Sequence, residues 1–466
     1  MVRIRCRSTG KTIHKRERAI NRKSIITLIL LLLFCGAIVF SGCVENADFT
    51  AIQNTTPPVP QKTYPDTTHI QSTTTSVPLE TDPDTSSTDL TVGHANTLFA
   101  FEFYKKLSSD PANSGKNMVF SPYSISSAMG VMYEGAQGQT AEEILLVSHL
   151  PKNDLVRRQG FSKIHEAVNP HDTNVTMISA NAVWVEKSYP LIPEYTRTVQ
   201  QYYSANATNL GFASHPDDAR RTINQWVESN TNNKIHEIIS PGDLDAQTTM
   251  VFTNSVYFMG PWESPFDKAY TRDANFTVPP NTTVSVKMMA KTDYKANFNY
   301  TETSDFRMIE IPYKSANETA LSMFILLPVN NNLTAAEDTL SARTFLEMEK
   351  NLSLEEKDLY LPRFTIESQE DISGTLQMMG MPTAFTSGAD FSKITPNTGI
   401  WVKEVTHSAE IEVNEEGTQS AAATQFIYTS GIEPYFIADH PFIFIIQDRE
   451  SGTILFMGHV INPNTT

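Results

Sequence analysis

The chain has 466 residues, 40% of them hydrophobic and 19% charged, with a formal net charge of −16. That length is ample for a sizeable core, and the composition excludes global disorder, a collagen and a multi-span membrane protein. Residues 1–23 hold nine Lys/Arg and one acid, which leaves the remainder at −24 and argues against nucleic acid or an anionic membrane surface as the main partner.

The N-terminal segment comes first in chain order. A basic stretch ends at Arg22-Lys23, the almost wholly apolar run Ile25–Phe40 follows, and then Ser41-Gly42-Cys43. Small residues followed directly by a cysteine resemble a prokaryotic lipobox, with Phe40 standing where an aliphatic residue is usual. The resemblance implies that residues 1–42 are a signal peptide, cleaved before Cys43, and that Cys43 carries a lipid. The alternative is an uncleaved anchor, because Ile25–Val44 reaches the roughly 20 residues that span a bilayer. The lipoprotein is favoured, since the position of the cysteine would otherwise be a coincidence. Both readings put the body outside the cell. Cys6, Cys35 and Cys43 are the only cysteines, so the body is expected to hold together without disulfides.

Residues 43–90 are rich in Thr, Pro and Ser and carry few apolar side chains, which predicts an extended, flexible tether. Ten Asn-x-Ser/Thr sequons, at Asn54, Asn174, Asn206, Asn275, Asn281, Asn299, Asn317, Asn332, Asn351 and Asn464, fit a glycosylated surface.

From residue 91 to 466 the pattern is that of one large α+β domain. Apolar spacing predicts a helix over Ala95–Leu107. Ser121-Pro122 opens a second, with Ser as N-cap and Pro in the first turn. Thr140 opens a third, with Glu143 three residues on to complete a capping box. Val175–Glu186 and Thr249–Phe258 read as strands, with a helix over Asp217–Asn230 between them. The second half is strand-rich: Met308–Tyr313, Ala320–Leu327, Leu359–Ile366, Val402–Val413, Phe442–Gln447 and Ile454–Val460. Several of these are apolar on both faces and belong in covered sheets.

Catalytic signatures are missing. The sequence holds no G-x-S-x-G, P-loop, H-E-x-x-H or G-x-G-x-x-G motif. The histidines lack ligand spacing; His165 and His171 read as surface. Neither an enzyme, a metal nor a cofactor is expected.

The informative segment is Glu415-Glu416-Gly417-Thr418-Gln419-Ser420-Ala421-Ala422-Ala423-Thr424. It is accompanied by Ala438-Asp439-His440-Pro441-Phe442 and Phe456-Met457-Gly458-His459-Val460-Ile461-Asn462-Pro463. This combination resembles the C-terminal signature of the serpins, the serine-protease-inhibitor family. Phe120-Ser121-Pro122-Tyr123-Ser124-Ile125, Gly135–Ile144, Asn181-Ala182-Val183-Trp184 and Thr253–Trp262 agree with it in order and spacing, so the resemblance spans about residues 92–463. It implies three β-sheets surrounded by eight or nine helices, with an exposed reactive-centre loop. It also implies a suicide mechanism, in which a protease acylates itself on the loop and the cleaved loop inserts as a new strand in the main sheet.

The loop has the means to insert. If Thr418 points inward, Ser420, Ala422 and Thr424 share its face, and all are small and uncharged. The family pattern has Glu where Gln419 stands and often Ala at Ser420, and neither change blocks insertion. Counting along the loop leaves three scissile bonds open in the region Tyr428-Thr429-Ser430-Gly431-Ile432: Tyr428-Thr429, Ser430-Gly431 and Gly431-Ile432. The absence of Lys and Arg there disfavours trypsin-like targets and points to subtilisin-, elastase- or chymotrypsin-like serine proteases. By position, Ser121, Ser124, Asn254 and His407 match a polar cluster beneath the main sheet. Trp262 matches the top of the opening, and Arg363 matches a cation that pairs with Glu415 in a partly exposed bridge. The expected protein is a monomer with a polymerisation liability; a non-inhibitory serpin that binds a ligand or a protein is the alternative.

Overall fold

The computed structural model describes residues 91–168, 176–292, 296–314, 321–417 and 435–466. Residues 1–90, including Cys43 and the tether, lie outside the described residues, as do Thr418–Thr424 and Tyr428–Ile432.

Among the described residues there are nine α-helices and three sheets. The first helices begin where side chains cap them. In α1 (Val92–Ser108) the Thr91 hydroxyl accepts from His94 N–H at 3.2 Å. In α2 (Pro122–Gly135) the Ser121 hydroxyl accepts from Ser124 N–H at 3.1 Å. The third helix departs from expectation. It runs Gly138–Ser148 and starts before Thr140, without a side-chain cap. The Thr140 hydroxyl instead accepts from Asp390 N–H, and the Glu143 carboxylate accepts from the Thr383 backbone and hydroxyl, so the capping box is replaced by long-range ties.

A seven-stranded antiparallel sheet runs in the order Met118–Phe120, Thr453–Val460, Phe442–Asp448, Leu321–Pro328, Phe306–Pro312, Asn297–Glu302 and Ser353–Glu356. Its central strands are buried on both faces. A four-stranded sheet runs Tyr435–Ile437, Asp358–Pro362, Thr282–Lys291 and Arg272–Val278. The five-stranded sheet consists of β1 (Thr176–Glu186), β2 (Asn206–Leu210), β3 (Met250–Met259), β4 (Phe364–Asp371) and β5 (Val402–Val413). Their spatial order is β4-β5-β3-β1-β2.

The stretch Leu359–Ile366, which reads as a single strand, is divided between two sheets. Asp358–Pro362 joins the four-stranded sheet and Phe364–Asp371 the five-stranded one, with Arg363 at the joint. Pro362 lacks the N–H a continuing ladder needs, and apolar continuity says nothing about which neighbour a strand takes.

Helix α2 is buried along almost its whole length. Its N-terminal end touches both large sheets: Ser121 Oγ donates to Leu455 O, and Ser124 O accepts from Asn254 of β3. On the five-stranded sheet a separate apolar cluster joins Ile223 and Val227 of the helix Pro216–Asn230, and Ile238 and Ile239 of the segment after it, to Trp184 of β1 and Val251 of β3.

Candidate functional site: a seam in the five-stranded sheet

Strands β3 and β5 are the one parallel pair that joins the two halves of this sheet. Parallel partners need no hairpin, so nothing covalent holds them at either end. Their ladder runs from Val402↔Met250 to Glu410↔Tyr257 and stops there. Both strands continue, β5 to Val413 and β3 to Met259. The other side of β5 behaves differently: its pairing with β4 reaches the top, at Phe364↔Val413. The seam between β3 and β5 is therefore closed below and unpaired above.

Below, the seam is clasped by buried polar side chains. His407 and Asn254 are register partners. Ser121 N–H donates to His407 Nε2 at 3.1 Å, so the ring proton sits on Nδ1 and is donated to Asn254 Oδ1 at 2.5 Å. Asn254 Nδ2 donates to Ser124 O at 2.8 Å and to Ser124 Oγ at 2.6 Å, and it also reaches Asn181 Oδ1 on β1. Burial holds the His407 imidazole neutral, pushing its pKa down to about 3. Ser121, Ser124, Asn254 and His407 thus meet in one network. Asn181 belongs to it as well; its motif was visible in the sequence, but its role was not.

Above, the chain leaves the seam through a tight turn. Asn414 and Gly417 bridge each other, and Gly417 also bridges Pro261. Trp262 N–H donates to Glu416 O at 3.0 Å, and Phe266 N–H donates to Glu415 O at 2.8 Å. Gly417 has φ +133°, and a Cβ there would lie 2.1 Å from Gly260 O, so only glycine fits. Trp262 is fully buried, stacks on Tyr313 at 4.6 Å, and donates its indole N–H to Asn414 O at 2.9 Å.

Arg363, at the joint between sheets, places its guanidinium on Glu415. Nε donates to Glu415 Oε1 at 2.8 Å, and Nη2 and the Thr271 hydroxyl reach the same oxygen. The sequence reading treated this pair as partly exposed. The Arg363 side chain is 23% exposed but that of Glu415 is 0% exposed, because Thr271, Trp262 and Phe266 enclose the turn. Glu416 points out and pairs with Lys268 at 2.5 Å, a partner that carried no sequence signal.

The family model for serpins (serine protease inhibitors) matches residues 94–463. An uncharacterized serpin-like protein of the archaeon Methanosarcina mazei is 35% identical, with 93% of this chain and 97% of that protein covered. The leukocyte elastase inhibitor of Bos taurus is also 35% identical, over 79% of this chain and 98% of that one. The crystal structure of Serpin48 from the insect Tenebrio molitor, described as a highly specific serpin, superposes with a TM-score of 0.72 at 30% identity, covering 80% and 98% of the two chains. The chain belongs to the serpin family, and its three sheets and nine described helices are the serpin fold.

Proposed function

We propose that this chain is an extracellular, membrane-tethered suicide inhibitor of serine proteases of the subtilisin, elastase or chymotrypsin type. One observation carries the reading: the seam between β3 and β5 is unpaired above Glu410↔Tyr257, and the chain leading to the loop turns out at its mouth on Gly417. A strand entering there would find free ladder positions on both sides. The likeness to an elastase inhibitor and the uncharged loop sequence support the same target class.

In the proposed reaction the protease serine Oγ attacks a loop carbonyl between Tyr428 and Ile432. The C–N bond breaks, an ester to the serine forms, and the departing amine takes up a proton. The freed loop, led by Thr418, then enters between β3 and β5 as the turn at Asn414–Gly417 unfolds. If about 14 residues gain ladder bonds at a net ~1 kcal/mol each, the drive is on the order of 10 kcal/mol. The bound protease is dragged along before water can cleave the ester. Cys43, carrying lipid, anchors the chain, residues 43–90 hold the domain away from the membrane, and the exposed sequons carry glycans. The protein acts as a monomer that polymerises when the seam opens without cleavage.

Incubation with subtilisin or chymotrypsin should give a covalent complex that survives SDS. Thr418→Arg should be cleaved at the same bond yet fail to trap, because insertion would bury an unpaired charge. Cleavage without complex in the wild-type protein would instead support a non-inhibitory binding role.

A further inference from the structure

A cleft of about 320 Å³ opens beside the gate formed by Arg363 and Glu415. Its walls are Arg363 and Phe364 at the sheet joint, Glu412 and Asn414 at the end of β5, Lys287 of the four-stranded sheet, and Thr465 near the C terminus. The volume lies at the lower end of the range for small-molecule sites.

The backbone sets two cations side by side in it, since Arg363 N–H donates to Lys287 O at 2.9 Å. Each has capacity to spare. Lys287 pairs with Asp273 at 2.8 Å, but the two side chains are 51% and 68% exposed, so the pair exchanges readily with solutes. Arg363 spends Nε and Nη2 on a single oxygen of Glu415, and its Nη1 makes no hydrogen bond among the described residues. Glu412 also lines the cleft, and its carboxylate is engaged there by Asn414 Nδ2, which donates to it at 3.2 Å.

We infer that this cleft binds a small carboxylate or phosphate oxyanion, held by Lys287 and the Nη1 edge of Arg363. The consequence for inhibition rests on the function proposed above. The same guanidinium compensates the buried Glu415. An anion that draws on it loosens the hold on Glu415 and, by linkage, favours the state in which the hinge has left the gate. The ligand is an activator of loop insertion.

The test titrates the full-length protein by calorimetry with sodium citrate and, in a parallel arm, sodium phosphate, each against sodium chloride of equal ionic strength. A saturable isotherm that weakens about tenfold in Lys287→Gln is the expected result. No saturable isotherm with either anion, or identical isotherms for the two proteins, overturns the site. The second readout is the rate of heat-induced loop insertion, each protein normalised to its own rate in chloride. Citrate should raise it several-fold in the wild type and less in the variant; binding with no change in rate overturns the activator role. A chain that binds citrate through Lys287 but never inserts its loop would confirm the cleft and defeat the inhibitory reading.

Discussion

Strand β5 has two neighbours, and the contrast between them separates the stable part of the molecule from the part proposed to move. Against β4 it is antiparallel and paired to its last residue, Val413. Against β3 it is parallel, bulged between Val402 and Glu404, and unpaired beyond Glu410. The first seam adds to its ladder the bond from Val405 N–H to Ser373 Oγ at 2.9 Å; the second adds the His407–Asn254 clasp and the turn at its mouth, where Arg363 holds Glu415, and a strap crosses both. The strap is the segment after Asn230: Lys234 lies 4.9 Å above the Tyr257 ring of β3, and Gln369 of β4 donates to Ile238 O at 3.4 Å. The clasp lies within the ladder of the second seam, and the Arg363–Glu415 pair at its unpaired mouth.

The gate should respond most strongly when broken. Arg363→Ala leaves Glu415 buried without its cation, and breaking a buried pair from one side costs about 3–5 kcal/mol. Because Glu415 belongs to the turn at the mouth of the β3–β5 seam, where Phe266 N–H donates to its carbonyl, the loss should fall first on that seam. Polymerisation on mild heating should accelerate strongly, while amide exchange in the β4–β5 ladder stays slow. Equal loosening of both seams would show that the variant merely destabilises the fold.

The clasp predicts a pH dependence of intermediate size. A histidine in an unfolded chain titrates near 6.5, whereas His407 in the fold is held down to about 3. The unfolded state therefore binds a proton that the folded state refuses as pH falls through this window. The stability that neutral His407 contributes is complete above pH 6.5 and is lost progressively toward pH 3, by about 2 kcal/mol at pH 5. Urea unfolding across pH 5–7 measures it, and His407→Gln should flatten that part of the profile. A wild-type profile that His407→Gln leaves unchanged would assign the dependence to other groups.

The strap should matter least. Lys234→Met removes a partly exposed cation–π contact worth about 0.5–1 kcal/mol, along with a cation that draws on Glu410. Insertion after loop cleavage should speed up by a few-fold, with the native unfolding midpoint nearly unchanged. A slower insertion would mean that Lys234 guides the loop instead of restraining the seam.

Much of this architecture was legible in the sequence, though unevenly. Strand β5 was read at its observed bounds, Val402–Val413, because alternation and a following glycine fix a strand and its exit. The hinge was read from the family resemblance; of it the structure describes Glu415–Gly417, where only glycine at Gly417 satisfies both the backbone conformation and the close approach to Gly260. What stayed hidden depends on neighbours that one sequence does not name. The division at Arg363 required knowing which sheet each half of an apolar run would join. The burial of Glu415 depends on Thr271, Trp262 and Phe266, distant in the chain, and it makes removal of Arg363 costlier than the loss of an exposed bridge would be. The end of the ladder at Glu410 is a matter of relative register and splay, which periodicity does not encode.

The central claim is that the β3–β5 seam accepts a strand supplied by this chain's own loop. The most direct test is the thermal unfolding midpoint before and after a single cleavage between Tyr428 and Ile432, with the protease inactivated and both fragments retained. Filling the seam at a gain on the order of 10 kcal/mol should raise the midpoint by about 10–15 °C. An unchanged or lowered midpoint would contradict the account, because the seam would then have stayed empty with a free strand available to it.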